Sequence, residues 1–180
     1  MERDNFVDGL TENEAAFIGQ QNSFYMATVG QNGYPYLQHR GGPKGFVKVL
    51  DETRIGFVDF TGNMQYISVE NIATNNKVAI IMVDYPSMTR LKLLATAEIV
   101  ELAGASILYA LLTTEDYKHK PERMMVFTIE AYDWNCPQHI TPRYTTKEIE
   151  TALTPQKELI EKLQPEVRAL KERLQLQIGS

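Results

Sequence analysis

Residues 77–101 read KVAIIMVDYPSMTRLKLLATAEIVE, and this stretch decides the fold class. Lys77 to Asp84 is a short, continuous run rich in β-branched and apolar residues, the pattern of a buried strand. Tyr85-Pro86-Ser87 turns the chain, and Arg90 to Glu101 alternates apolar and polar positions as a long half-buried strand does. Upstream, Phe24 to Val29 and Tyr34 to Arg40 flank Gly30-Gln31-Asn32-Gly33, which reads as a hairpin turn. A Gly/Pro-rich link, Gly41-Gly42-Pro43-Lys44-Gly45, leads into Phe46 to Leu50; after a turn at Asp51-Glu52-Thr53, Ile55 to Phe60 follows. Downstream, Met124 to Trp134 is again strand. The pattern predicts a mainly β protein of six or seven strands in mostly antiparallel order, a β-barrel with flanking helices rather than a doubly wound sheet.

Helices are expected at the corners. Thr11-Glu12-Asn13-Glu14 has the capping-box spacing, predicting a short helix from Glu12 to Gly19. Tyr66, Val69, Ile72 and Ala73 recur at helical spacing within Gln65 to Thr74, and Ser106 to Thr113 is apolar enough for another. Beyond Arg143 the composition shifts. Thr154-Pro155 looks like a helix start, and Leu163, Val167, Leu170 and Leu174 recur in steps of four, three and four among Lys, Arg and Glu. The tail is therefore read as an amphipathic helix broken or kinked at Pro165, packing on its own or a partner's barrel or lidding a pocket. The expected division is a barrel domain over 1–145 and a C-terminal helical extension over 146–180.

Composition narrows the function. Against 18 Lys and Arg stand 23 Asp and Glu, a net charge of −5 over 180 residues, so the long-range attraction to phosphate backbones or anionic membranes is missing. The single cysteine, Cys136, cannot close an internal disulfide, and His39, His119 and His139 show no paired-ligand spacing, so no metal is expected. Met1 to Leu10 carries Glu2, Asp4 and Asp8 and does not read as a signal or transit peptide. No apolar run approaches the roughly 20 residues that span a bilayer. A cytoplasmic protein is the expectation.

Chemistry-bearing residues are few. Arg40, Lys44 and Lys48 surround the glycine-rich corner, where bare N–H groups and cations can meet an anion. Tyr66 and Ser68 lie at a predicted helix start, adding hydroxyl donors at its positive end. Both point to a phosphorylated ligand, although each group taken alone is more often a solvated surface. No Walker loop and no GxGxxG is present. Cys136 and His139 lack a third orienting group, Asp59 and Asp84 read as strand-end caps, and no catalytic residue is assigned.

Three separated segments, HRGGPKGFVKVLDETRIGFVDFTGNMQYISVENIATNNKVAIIMVDYP (39–86), RLKLLATAEIV (90–100) and DWNCPQHITPRY (133–144), agree in order and spacing with one family. Over roughly Ser23 to Tyr144 the chain resembles the FMN-binding split-barrel proteins related to pyridoxamine 5′-phosphate oxidase. The resemblance implies an FMN-binding split barrel, with FMN as cofactor and a homodimer carrying the flavin at the subunit interface. By position, Lys44, Gly45, Phe46, Val47 and Lys48 match the strand along the flavin ring and ribityl phosphate, and Val58 and Asp59 match contacts to the ring edge. The helix start that binds the phosphate falls on Ile67 and Ser68 beside Tyr66, without the Arg-Lys pair of the oxidases proper. Arg90 matches a flavin-contacting position and, with the Ser68 and Tyr66 hydroxyls, is expected to meet the phosphate charge in place of that pair; Gln65 and Asn71 are further candidates, and Trp134, Gln138, His139 and Arg143 are positions that a partner subunit could supply. Trp134 reads equally as a barrel-closing core aromatic. The oxidases proper end in a Trp-rich segment whose Arg and His hold substrate phosphate, whereas this chain has Asn135 to Ile140 with Arg143.

The implied activity is hydride or electron transfer between a small organic donor or NAD(P)H and an acceptor such as O₂. A flavin-storing or sensing protein without turnover, or the same barrel holding haem or a deazaflavin, are the alternatives.

Overall fold

The structure, a computed structural model, describes residues 9–62, 66–114, 117–135 and 138–178. It divides into two compact units, Met1–Thr141 and Pro142–Ser180.

In the first unit, seven strands run β1 (Ser23–Val29), β2 (Pro35–Gly41), β3 (Lys48–Val49), β4 (Arg54–Phe60), β5 (Lys77–Asp84), β6 (Thr89–Glu101) and β7 (Pro121–Asn135). They form one antiparallel sheet in the order β2-β1-β5-β6-β7-β4-β3. The decisive stretch 77–101 is its centre, with Lys77 opposite Thr96 and Asp84 opposite Thr89. The first four strands do not lie side by side: β1 and β2 form one edge, β3 and β4 the other. Only residues 42–47 join the two edge strands. Six extended residues reach at most about 20 Å, so the sheet must curl until its edges nearly meet, which makes the fold a split barrel.

Glycine permits that crossing. A Cβ on Gly42 would lie 2.6 Å from the Phe46 ring, and Gly45 has φ +76 while its N–H donates to the Gln21 carbonyl at 2.9 Å. Phe46 and Val47, expected to be strand, instead turn into the core before β3 begins. There Phe46 stacks on Phe24 at 5.8 Å between centroids, and Phe57 stacks on Phe127 at 6.0 Å. A second cluster of Val58, Leu112 and Met124 sits under α3 (Ser106–Leu112).

Helix α1 (Glu12–Gln20) begins with the capping box foreseen at Thr11 and Glu14. Helix α2 (Ile67–Thr74) starts two residues later than the expected Gln65, which lies outside the described residues, as does Cys136. Strand β7 begins at Pro121 rather than Met124, continuing the pairing of β4 to Phe60 opposite Pro121 across a bulge.

The second unit corrects the tail. Helix α4 (Thr146–Ile178) does not begin at Thr154-Pro155. Thr145 caps it: its N–H donates to Glu148 at 2.7 Å, and the Glu148 N–H donates to the Thr145 hydroxyl at 3.2 Å. The helix also runs unbroken through Pro155 and Pro165, each a local cost of about 3 kcal/mol from the missing N–H and the ring clash. Among the described residues, no helix is long and apolar enough to cross a membrane.

Candidate functional site

Alternation on β2 places Gln38 and Arg40 on the same side of the strand, both partly buried. Each meets a residue from elsewhere in the chain. The Arg40 guanidinium donates to Asp59 Oδ1 at 2.7 Å, and Ser68, 1% exposed at the first turn of α2, donates to Gln38 Oε1 at 2.7 Å. Pairing of β4 with β7 sets Asp59 opposite Arg123, whose Nε lies 4.0 Å from Asp59 Oδ2. Arg123 continues to Glu122 at 2.6 Å and stacks over the Tyr66 ring at 4.7 Å, while the Tyr66 hydroxyl donates to Glu122 at 2.7 Å. One turn further along α2, Asn71 donates to the buried Thr28 hydroxyl at 2.9 Å.

Two arginines, two carboxylates and the hydroxyl or amide groups of Gln38, Tyr66 and Ser68 thus meet where the ends of β2, β4, β7 and α2 converge. The charges balance on paper, but the hydrogen bonds do not. Asp59 is 7% exposed, and burial raises its carboxyl above the usual range even though Arg40 and Arg123 oppose the rise. The Nε of Arg40 and the Nε of Arg123 are buried with no hydrogen-bond partner among the described residues. Tyr66, at the N-cap position of α2, provides no side-chain cap to the helix amides. The hydrogen bond to Glu122 pushes the Tyr66 hydroxyl up and holds the Glu122 carboxyl down. Guanidinium groups beside the first turn of a helix suit an oxyanion with several acceptors, phosphate above all.

Of the positions read from the sequence, Asp59, Tyr66, Ser68 and Asn71 belong to this assembly or flank it. Lys44 is exposed on the crossing loop, and Lys48 sits on β3 opposite Gly56. The side chains of Phe46, Val47 and Val58 are in the core, so a ligand would meet these three through their backbone. Arg90 and Trp134 lie at the other end of the sheet, opposite Val83 and Leu91 respectively. Arg123 and Trp134 are eleven positions apart on β7, roughly 36 Å at about 3.3 Å per residue, so one chain does not bring these two groups together. Trp134 is engaged there: its indole N–H donates to Glu14 at 2.6 Å and its ring meets Phe17 edge-on at 4.9 Å. Gln138 and His139 follow, both exposed, His139 with φ +66. Arg143 belongs to the second unit.

Sequence reasoning missed Arg123, Glu122, Gln38 and Thr28, and weighed Arg40 only as part of the loop corner. The alternation of Gln38 and Arg40 was a usable signal. The meeting of Asp59 with Arg123 depends on a pairing between strands far apart in sequence. No three His, Cys, Asp or Glu gather to hold a metal among the described residues.

The profile of the pyridoxamine 5′-phosphate oxidase family matches residues 10–134. Among solved structures, a candidate pyridoxamine 5′-phosphate oxidase from Lactobacillus delbrueckii is 30% identical, with a TM-score of 0.55, over 74% of this chain and 99% of that one. HupZ of Group A Streptococcus is 21% identical with a TM-score of 0.56, covering 75% and 99%. An FMN-binding protein from Syntrophomonas wolfei subsp. wolfei is 11% identical with a TM-score of 0.51, covering 68% and 83%. The last two likenesses establish the fold alone. No curated protein matches.

Proposed function

Because this chain belongs to the pyridoxamine 5′-phosphate oxidase family, we propose that it is a cytoplasmic FMN-binding flavoprotein that carries out an oxidoreductase reaction. The donor is a small organic molecule or NAD(P)H and the acceptor is O₂ or a similar oxidant. The observation that carries the reading is the pair of arginines Arg40 and Arg123, each with a buried Nε that has no hydrogen-bond partner among the described residues, beside Ser68 in the first turn of α2. Their chemistry fits the phosphate of FMN, the one part of that cofactor that a cluster of cations can recognise. The relative from Syntrophomonas wolfei, described as FMN-binding, has the same fold.

Bound FMN would supply hydride acceptance and return, chemistry that no side chain of this site provides. The chain's own residues have simpler tasks. Arg40 and Arg123 neutralise the phosphate, and Ser68, held by Gln38, offers a hydroxyl at the helix start. Asn71, fixed on Thr28, locks α2 against β1. Lys44 and Lys48 stand on the crossing loop and β3 to balance negative charge on a reduced ring.

The second half of the site comes from a second copy. Tyr25, Leu37 and Leu94 are exposed on the outer face of β2-β1-β5-β6, at 38%, 63% and 41%. In register across the strands, Leu37, Ala27, Ala79 and Leu94 form one row and His39, Tyr25, Ile81 and Lys92 the next. An apolar sheet face of this kind suits a two-fold interface. A two-fold pairing can set the end bearing Arg90, Gln138 and His139 against its partner's Arg40 and Arg123, joining ends that one chain holds apart.

The test is the visible spectrum of the purified protein titrated with FMN and with riboflavin, followed by anaerobic NADPH and NADH. Tight FMN binding, weak riboflavin binding and bleaching by a nicotinamide establish the reading. FMN that binds but stays oxidised with every donor reduces it to a flavin-binding protein without turnover, and absence of FMN binding refutes it.

A further inference from the structure

Helix α4 carries a repeat that its own unit leaves uncovered. Leu153, Ile160, Val167 and Leu174 recur every seven residues, and Ile149, Gln156, Leu163 and Leu170 fall between them at alternating steps of four and three. That is the a and d spacing of a coiled coil, kept in register over the whole helix with no insertion at either proline. All the apolar members are exposed, from 43% at Leu163 to 62% at Leu170. Pro155 and Pro165 both fall at positions off this seam, so neither ring enters it. A polar helix interrupted by two prolines does not hold itself straight on propensity; burial of the seam is the missing contribution.

We propose that α4 pairs with α4 of a second copy of this chain as a parallel two-stranded coiled coil. Three features select this occupant and this direction. In the two central heptads Ile160 and Val167 are β-branched at a positions while Leu163 and Leu170 occupy d, the combination that favours two strands; Ile149, Leu153 and Leu174 at the ends of the seam reverse it. In the parallel register Gln156 faces its own copy, and the two amides can hydrogen-bond each other. The antiparallel register centred between Ile160 and Leu163 sets Gln156 against Val167 and leaves a buried amide facing methyl groups. Flanking the seam, Glu166 lies five residues before Lys171, the spacing at which a g residue meets an e residue of the parallel partner, and two-fold symmetry makes this ion pair twice. The helix spans about 50 Å, long enough for eight successive seam layers. The pairing does not depend on the flavin reading, because it uses no residue of that site.

Cysteine cross-linking of the full-length protein tests it, in a C136S background so that only the introduced thiol reacts. L174C places a thiol in the seam, L176C places one two residues away on the outside of the helix, and L153C probes the seam's other end. Under mild oxidation L174C and L153C are each expected to form covalent dimer at least tenfold faster than L176C, and adding V167D to L174C is expected to remove that advantage. Equal rates for L174C and L176C overturn the proposal. So does a pattern in which L153C cross-links with L170C but not with itself in a mixed sample, the mark of the antiparallel register. The FMN spectrum of each variant reads the barrel separately, so failure of L174C and L153C to cross-link while FMN binding is retained refutes the coiled coil alone.

Discussion

Two buried carboxylates sit at opposite ends of the barrel and differ in how they are satisfied. Glu14, 3% exposed, meets neutral donors: the Trp134 indole on one oxygen, and the Thr11 amide and hydroxyl on the other. Burial alone raises its carboxyl, but the hydrogen bonds from Thr11 and Trp134 outweigh burial and hold it at about 2. Asp59 sits between two full positive charges, yet its carboxyl is raised. It receives one short bond, from Arg40, while Arg123 Nε stays at 4.0 Å. At Glu14 the hydrogen bonds outweigh burial; at Asp59 burial outweighs the two guanidiniums. At the Glu14 end, neutral donors meet both carboxylate oxygens and the Trp134 bond holds α1 to β7. The Asp59 end keeps donors in reserve, as a ligand site does before its ligand arrives.

If the two ends have these separate roles, variants should separate binding from stability. The largest effect is expected for R40A/R123A, which should raise the FMN dissociation constant about a hundredfold, ~2.7 kcal/mol, while riboflavin affinity, lacking the phosphate, changes less than about threefold on the same scale. Absorbance titration with both ligands reads this directly. A matched loss for both would mean that the arginines hold the fold rather than the phosphate. At the other end, E14A removes the acceptor for the indole and the capping box together. Urea unfolding should show a loss of about 2–3 kcal/mol, with FMN affinity unchanged once the protein is folded. A large loss of FMN affinity in E14A would erase the distinction between the two ends.

The sequence made one of these ends far more legible than the other. The capping box at Thr11 and Glu14 is local, three residues across, and was readable; so was the strand pair 77–101, whose pattern and turn lie within one stretch. The hairpin Phe24 to Arg40 was equally local. The site was legible only in separate parts: Tyr66, Ser68 and Asn71 at one helix, and Asp59 through the family resemblance. Its ion pairs arise from β4 meeting β7 and from a barrel closure that carries Arg40 to Asp59, contacts that no periodicity encodes. The tail shows the same limit in reverse. Thr145 and Glu148 repeat the Thr11 and Glu14 spacing in plain view, but Thr154-Pro155 offered a second start signal, and the heptad's tolerance of proline depends on which face each ring occupies.

Acid titration gives a smaller effect with opposite signs at the two ends. Glu14 has a folded pKa depressed from 4.5 to about 2, so its contribution is fully present above the ordinary carboxylate range and is lost as pH falls toward 2. E14Q should therefore flatten the acid limb of a plot of unfolding free energy against pH. Asp59 has a raised folded pKa, so the folded state binds its proton more tightly than the unfolded chain does. Its contribution is present at low pH and is lost as pH rises through the folded value.

The smallest expected effect follows from that sign. Removing one member of a buried ion pair ordinarily destabilises by about 3–5 kcal/mol, and on that rule D59N should be severe. Here the ionised carboxylate already costs more in the fold than in the unfolded chain, because burial outweighs the two guanidiniums. A neutral amide of the same shape resembles the protonated acid that the fold prefers. D59N should therefore match the wild type to within about 1 kcal/mol at neutral pH, with any advantage shrinking as acid protonates Asp59 in the parent. Paired urea titrations at neutral and acid pH decide it. A loss of several kcal/mol at neutral pH would mean that Arg40 and Arg123 depend on Asp59 for charge balance, and that the cluster is a finished structural ion network like a charged version of the Glu14 end, with no donors held back for a ligand.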